Sequence, residues 1–341
     1  MQDDLWSVLR PLEAEVGRYE LEAQELATPG FVRHSTTVVL AGGGATGRGE
    51  DVSYSPDDQT AHRRLAPLPL RGTRTLAEWS ALLDEQELFP EETRQHAARD
   101  YRRWAYESAL LDLALHQAGA TLGQVVGRPY SPLRFVVSSN LDPARWLELY
   151  PDVELKVDAG AEWGRADVER LAASGVVRVV DIKGQYGADY PQGERDEAGL
   201  VAMAAEILPD AIIEDPSTEP HVRPAIDGAA DRISFDAPVH AVADLADLPP
   251  IRHINVKPSR FGTLERLCAC LDHCRREGIA MYAGGQYELG VGRAQIQALA
   301  SLFYPDGPND CAPGGYNAPE PTAGLPVSPL GESAWRGATA F

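Results

Sequence analysis

From about Leu133 onward the chain alternates short apolar runs with segments of helical periodicity. The runs are RFVVSSN, VELKVDAG, RVVDIKGQYG, AIIEDP, RISFDAP, HINVKPS, AMYAGGQYE and NDCAPGG. Between them lie ADVERLAASG, EAGLVAMAAEILP, TLERLCACLDHCRREG and GRAQIQALASLF, whose apolar residues recur at helical spacing. Alternating β and α units imply a parallel sheet with helices outside it. Eight such runs predict an α/β fold of the (β/α)8-type barrel class, with its functional residues at the C-terminal ends of the strands. A doubly wound open sheet is the competing arrangement. Polar residues stand at the ends of many strands rather than at one switch point, which favours the barrel.

The part before Leu133 follows a different pattern. HSTTVVLAGGGATGRGEDVSYS reads as two strands around a glycine-rich turn, followed by helices over TLAEWSALLDEQEL and EETRQHAARDYRRWAYESALLDLALHQAG. In the second helix Trp104, Ala105, Ser108, Leu111 and Leu115 form the buried stripe. This is an α+β unit of its own. GGGATG (Gly42 to Gly47) matches the spacing of a dinucleotide-binding loop, but strand and turn residues follow it where that motif needs a helix N-terminus. A hairpin is the better reading. LCACLDHC holds three of the four cysteines. Leu264, Leu267, Cys268, Leu271 and Cys274 share one helical face, and paired C-x-x-C spacing is absent, so a helix core outweighs a zinc site.

The formal net charge of −20 argues against nucleic acid and anionic membrane as partners. No signal peptide or apolar span is expected, which points to a cytoplasmic protein. Basic residue usage is more informative. Lysine occurs only at Lys156, Lys183 and Lys257, the rest of the 31 basic residues being arginine. Lysine is expected to persist where arginine cannot serve, because only lysine gives up its proton once its pKa is lowered.

All three lysines fall in the strand-like runs, beside acids. Read in order, the strand ends give Lys156 and Asp158, Asp181 and Lys183, Glu214 with Asp215, Asp236, Lys257 and Glu288. Residues two apart on a strand share a face, so Lys156 pairs with Asp158 and Asp181 with Lys183. Asp181, Glu214 and Asp236 are single carboxylates on three successive strands, an oxygen set suited to Mg2+. Such a metal would offset the cost of burying the acids of DAIIEDPSTEP.

This order of acids and lysine resembles the enolase superfamily, particularly its muconate-lactonizing subgroup. GRGED, AYESALLDLALHQAGATLGQVVG, IIEDP, ISFDAP, NVKPSRFG and GGQYELGVGR carry the resemblance, which covers most of the chain. It implies an α+β capping domain over residues 1–130, a (β/α)7β-like barrel over 131–318, and a tail over 319–341 packing back towards the cap. It also implies Mg2+ held by Asp181, Glu214 and Asp236, and a base that removes the proton next to a substrate carboxylate through an enediolate. Lys257 matches the family's sixth-strand lysine and is the base expected. Arg33, His34 and Glu288 are candidate substrate contacts, with an exposed surface position the competing reading for the first two.

Two departures bear on the reaction. Where the family has K-x-K, LKVDAG supplies Lys156 and Asp158, or Glu154 and Lys156 in the shifted register. Where it has D-x-N, this chain has Asp181-Ile182-Lys183, and Lys183 is a candidate to compensate for a lost second-strand lysine. The resemblance therefore implies a small carboxylate substrate. It implies either a syn-dehydratase of the o-succinylbenzoate synthase type or a racemase, epimerase or cycloisomerase. A diverged barrel acting as a binding or structural protein is the alternative. Assembly into a homo-oligomer is compatible with the class.

Overall fold

A computed structural model describes residues 4–28, 30–65, 68–89, 92–93, 95–186 and 195–341. The N-terminal strands form two small antiparallel sheets. β1 (Glu13–Val16) pairs with β5 (Gly72–Thr75), and β2 (Arg18–Thr28), β3 (Phe31–Gly42) and β4 (Ala45–Asp51) form a meander in that order. Gly43 and Gly44, at φ 54° and 80°, make the turn between β3 and β4, so GGGATG is a hairpin and starts no helix.

The helix Ala98–Ala118 begins later than the sequence suggests, and Glu91 and Arg94 of its expected first turns lie outside the described residues. Its buried surface is far wider than one stripe, taking in Tyr101, Arg102, Tyr106, Glu107 and Asp112 as well. The helix has neighbours on several sides, which explains the difference: β3 and β4, the helix Leu76–Asp84, and the later helices Pro258–Phe261 and Leu264–Glu277. Gly47 and Gly49 of β4 let the meander lie directly on it. A Cβ at either would overlap the helix backbone at Ala109 and Ala105.

Seven strands form one curled parallel sheet in sequential order: β6 (Val137–Ser138), β7 (Leu155–Asp158), β8 (Val177–Asp181), β9 (Ile212–Glu214), β10 (Ile233–Phe235), β11 (His253–Val256) and β12 (Ala280–Ala283). Helices Arg165–Ser174, Glu197–Ile207, Leu264–Glu277 and Val291–Phe303 match the four expected helical segments. Leu264, Leu267, Cys268, Leu271 and Cys274 are buried on their helix, and all four cysteines are free.

The eighth run, NDCAPGG, forms no strand, because prolines at 305, 308 and 313 remove ladder donors on both sides of it. Asn309 makes a single bridge to Phe135 instead. Val136 N–H donates to Asn309 O at 2.9 Å, and Asp310 N–H donates to Ala283 O at 2.8 Å. The Asn309 side chain substitutes for missing peptide groups, accepting from Ala283 N–H at 2.7 Å and donating to Arg134 O at 2.8 Å. The two edges of the sheet are thus stitched through one short segment.

The end of the chain reaches the N-terminal part. Thr339 Oγ1 and Ala340 N–H both donate to Asp112, and Leu122 N–H donates to Ala340 O. No helix among the described residues is long and apolar enough to cross a membrane.

Candidate active site

The C-terminal ends of the sheet strands open into a cleft of about 670 Å³. All three lysines of the chain line it, together with Asp158, Arg260, Glu288 and Asp310. Its outer wall is aromatic and comes partly from the meander side, with Phe31 and Tyr54, and partly from Trp146, Tyr186, Tyr287 and Tyr316. The segments around Gln24 to Arg33, Glu50 to Ser55 and Asn309 to Gly315 therefore each reach the cleft, through Phe31, Tyr54 and Asp310.

Lys156 is 2% exposed and lies between two strands' acids, its Nζ 2.6 Å from Glu214 Oε1 and 3.1 Å from Asp181 Oδ2. Lys183 Nζ is 2.5 Å from Asp181 Oδ2 and 3.2 Å from Asp158 Oδ1. Lys257 Nζ is 2.5 Å from Asp236 Oδ2, whose other oxygen lies 2.7 Å from Arg260 Nε. Four fully buried carboxylates, Asp181, Glu214, Asp215 and Asp236, thus face three lysines and an arginine.

Two residues that periodicity could not single out complete the first layer. Tyr282 donates its hydroxyl hydrogen to Glu214 Oε2 at 2.6 Å, and Asn255 Nδ2 donates to Glu214 Oε1 at 3.1 Å. Each sits inside a strand that reads as apolar, facing the pocket side. Their positions two residues before Gly284 and Lys257, and so on the same face of the chain at β12 and β11, are the sequence signal for them.

The oxygens of Asp181, Glu214 and Asp215 come within 4.8 Å of one another. Asp215 is not the third acid expected. Its oxygens accept the backbone N–H groups of Asp236 (2.7 Å) and Ala237 (3.0 Å), tying the end of β9 to that of β10. Asp236 stands one strand further on. The donor chemistry fits a hard divalent cation: the groups are carboxylates only, buried, and on adjacent strand ends.

Burial and mutual repulsion act on these acids in opposite directions to the lysines. Burial, with Asp181 and Asp236 nearby, pushes the Glu214 carboxyl up to about 7 despite Lys156. Burial and the other three acids push Asp215 well above the usual carboxylate range. For Asp181, burial is outweighed by Lys183 and Lys156, which hold it well below that range. Asp236 is brought down to about 2, Arg260 and Lys257 overcoming burial. Lys156 and Lys183 correct the expectation of lowered lysine pKa values. Burial alone would lower them, but the adjacent carboxylates raise both, so they stand as cations.

Among the described residues, three other than glycine adopt left-handed backbone: Lys183 at φ 60°, Asp215 at 51° and Tyr287 at 58°. All three lie just beyond a strand end of this sheet, where strain collects at functional sites.

Arg33 and His34 do not line the cleft. Arg33 is buried and spends its guanidinium on backbone carbonyls of Val52, Ser53, Gln286 and Tyr287, fastening the meander to the loop after β12. His34 pairs with Glu25 across the β2–β3 hairpin. Glu288 does line the cleft, and its carboxylate accepts Gln286 N–H at 2.7 Å.

Residues 7–125 match the N-terminal domain, and residues 129–318 the C-terminal domain, of the family described as domain of unknown function DUF8230. The chain belongs to the DUF8230 family. This DUF8230 chain is similar to an o-succinylbenzoate synthase of Bacillus subtilis (strain 168), 24% identical over 224 residues, covering 62% of the chain and 59% of that protein. It is also similar to an N-succinylamino acid racemase of Amycolatopsis sp, 28% identical over 167 residues, covering 49% of the chain and 37% of that protein. The chain thus spans less than two thirds of the length of these relatives. Among solved structures it resembles a dipeptide epimerase from Methylococcus capsulatus, complexed with Mg and the dipeptide L-Arg-D-Lys. That match has a TM-score of 0.68 at 17% identity, covering 90% of this chain and 93% of that one. A muconate lactonizing enzyme matches with a TM-score of 0.61 at 19% identity over 85% of each chain. The chain's curled parallel sheet with N-terminal antiparallel sheets is similar in fold to a solved member of the enolase superfamily from Listeria innocua, with a TM-score of 0.63 at 17% identity over 88% of this chain and 86% of that one.

Proposed function

We propose that this chain is an enzyme that removes the proton from the carbon next to a substrate carboxylate. The observation that carries this reading is the meeting of every lysine in the chain with buried strand-end carboxylates around one cleft. The sheet, closed through Asn309 and Asp310, is read as the barrel. Residues 1–130 are its cap, and 319–341 a tail that locks back on the cap. The relatives are named as o-succinylbenzoate synthase and N-succinylamino acid racemase, and the substrate is taken to be a small carboxylate handled in the cytoplasm.

Asp181, Glu214 and Asp236 would hold Mg2+, with Asp215 bracing the strand ends. When bound, the ion supplies a positive charge that stabilises the oxyanion developing on the substrate carboxylate. Lys257 Nζ takes the α-proton, its side chain aimed by Asp236 and packed past Gly284, where a Cβ would crowd Lys257 Cε. Lys156, held charged between Asp181 and Glu214, positions those carboxylates. Glu288 and the aromatic wall hold the rest of the substrate and exclude water.

Asp158 stands two residues after Lys156, where the family's second-strand lysine would be, and the loss of a second base there favours elimination over racemisation. Lys257 takes the proton from carbon and hands it to a leaving hydroxyl on the same face; the C–H and C–O bonds break and water departs. The test is deuterium uptake from D2O by succinyl-cyclohexadiene carboxylates, N-acylamino acids and dipeptides, followed by NMR with and without Mg2+. Exchange at the α-carbon should require Mg2+ and vanish in Lys257→Ala. Exchange that persists in Lys257→Ala removes Lys257 as the base.

A further inference from the structure

Lys183 grips both oxygens of Asp181. Its backbone N–H donates to Oδ1 at 3.0 Å and its ammonium to Oδ2 at 2.5 Å, a chelate made possible by the left-handed backbone at φ 60°. The main chain around it is fixed: Ile182 N–H donates to Glu214 O and Gly184 N–H to Asp215 O, each at 2.8 Å. Gly184 is packed so that a Cβ there would overlap Ser217 N. Only the Lys183 side chain is left to move. Lys156 also lies 3.1 Å from the same Asp181 oxygen, so a divalent ion approaching Asp181 meets two ammonium groups there. Lys156 is sealed in, whereas the Lys183 side chain is 17% exposed and lines the cleft.

A landing place exists. Asp158 Oδ1 is buried and already ion-paired to Lys183 Nζ at 3.2 Å, and among the described residues no hydrogen bond competes for it. β7 and β8 place Asp158 directly beside Asp181 in register, so the move from one carboxylate to the other is short.

We propose that Lys183 is a tethered cation that caps Asp181 in the metal-free protein and passes to Asp158 when a divalent cation binds. The pair Lys183–Asp158 thereby sets metal affinity. This rests on the reading of Asp181 as a metal ligand. Without the ion, Lys183 neutralises a buried carboxylate; with it, Asp158 neutralises Lys183, and the ion meets one like charge fewer. Asp158 acts only through Lys183, as a positioning residue.

The test is a double-mutant cycle on the full chain, with Mn2+ binding read from the free-ion EPR signal and Mg2+ binding from calorimetry. Lys183→Met should bind both ions more tightly, on the order of tenfold or more, because a like charge close to the ion is gone. Asp158→Asn should weaken binding several-fold in the wild-type background and have no effect in Lys183→Met. Lys183→Arg, which keeps the charge, should stay near wild type and controls for folding. Equal affinity in Lys183→Met and wild type overturns the proposal, as does an Asp158→Asn effect of equal size in both backgrounds. Mn2+ binding that survives Asp181→Asn, or its absence in every variant, overturns the metal reading itself and this proposal with it.

Discussion

The Tyr282 hydroxyl lies 2.6 Å from Glu214 Oε2 and 3.0 Å from Ser234 Oγ, joining β12 to β9 and β10 beneath the cleft. Tyr282 is 1% exposed, so the ring anchors the carboxylate from the dry side while Lys156 meets it from the other. Tyr282→Phe keeps the ring and deletes one charge-assisted hydrogen bond. The expected loss is about 1–3 kcal/mol of unfolding free energy, measured by urea denaturation in EDTA. An unchanged midpoint would show that Glu214 does not rely on this bond.

Lys156 bridges Asp181 and Glu214 with almost no exposure. Lys156→Met leaves two buried carboxylates facing each other, at a cost of about 3–5 kcal/mol in the metal-free protein. Added Mg2+ should restore more thermal stability to this variant than to wild type, because a ligand stabilises only the state it binds. A melting temperature in EDTA equal to that of wild type would contradict the bridging role.

Far from the cleft, Asp51 joins Arg102 (2.9 Å) and His62 (2.9 Å) in a fully buried network between β4, the helix Pro56–Arg64 and the helix Ala98–Ala118. Burial pushes the Asp51 carboxyl up, but Arg102, His62 and Ser53 outweigh it and hold it well below the usual range. Burial lowers His62 despite Asp51. Both folded-state pKa values lie below their unfolded ones, so each group's contribution is complete above its unfolded pKa and is lost as pH falls. Unfolding free energy should therefore begin to decline below about pH 6.5 through His62, and further below about pH 4 through Asp51. His62→Gln should flatten the first limb. A slope unchanged in that variant would assign the limb to other groups.

Gly49 lies where a Cβ would collide with Ala105 O and Ser108 Oγ. Gly49→Ala is expected to cost about 1–3 kcal/mol or more by forcing the meander off its helix, read as a lowered thermal midpoint. Gly44→Ala offers a contrast. No atom crowds its Cβ, and only the φ of 80° resists the change, so a smaller loss is expected.

Much of this protein was legible in its sequence. The order of strands and helices followed from apolar periodicity, because buried parallel strands must be apolar along their whole length. The cleft acids and lysines stood out because burying them needs a reason and because arginine had taken every other basic position. The two ends of the parallel sheet were harder. β6 shrinks to Val137–Ser138, and Asn309 replaces a strand with its side chain, since proline removes donors that only neighbouring strands could reveal as missing. Arg33 shows the same limit: its place in a strand says nothing of the two distant segments, 52–53 and 286–287, whose carbonyls it gathers. Which residues are buried, and what kinds of chemistry they bring, is carried by composition and period, properties each residue has locally. Which lysine touches which acid was decided by strand register and by a left-handed turn at Lys183, and those depend on contacts between residues distant in the chain.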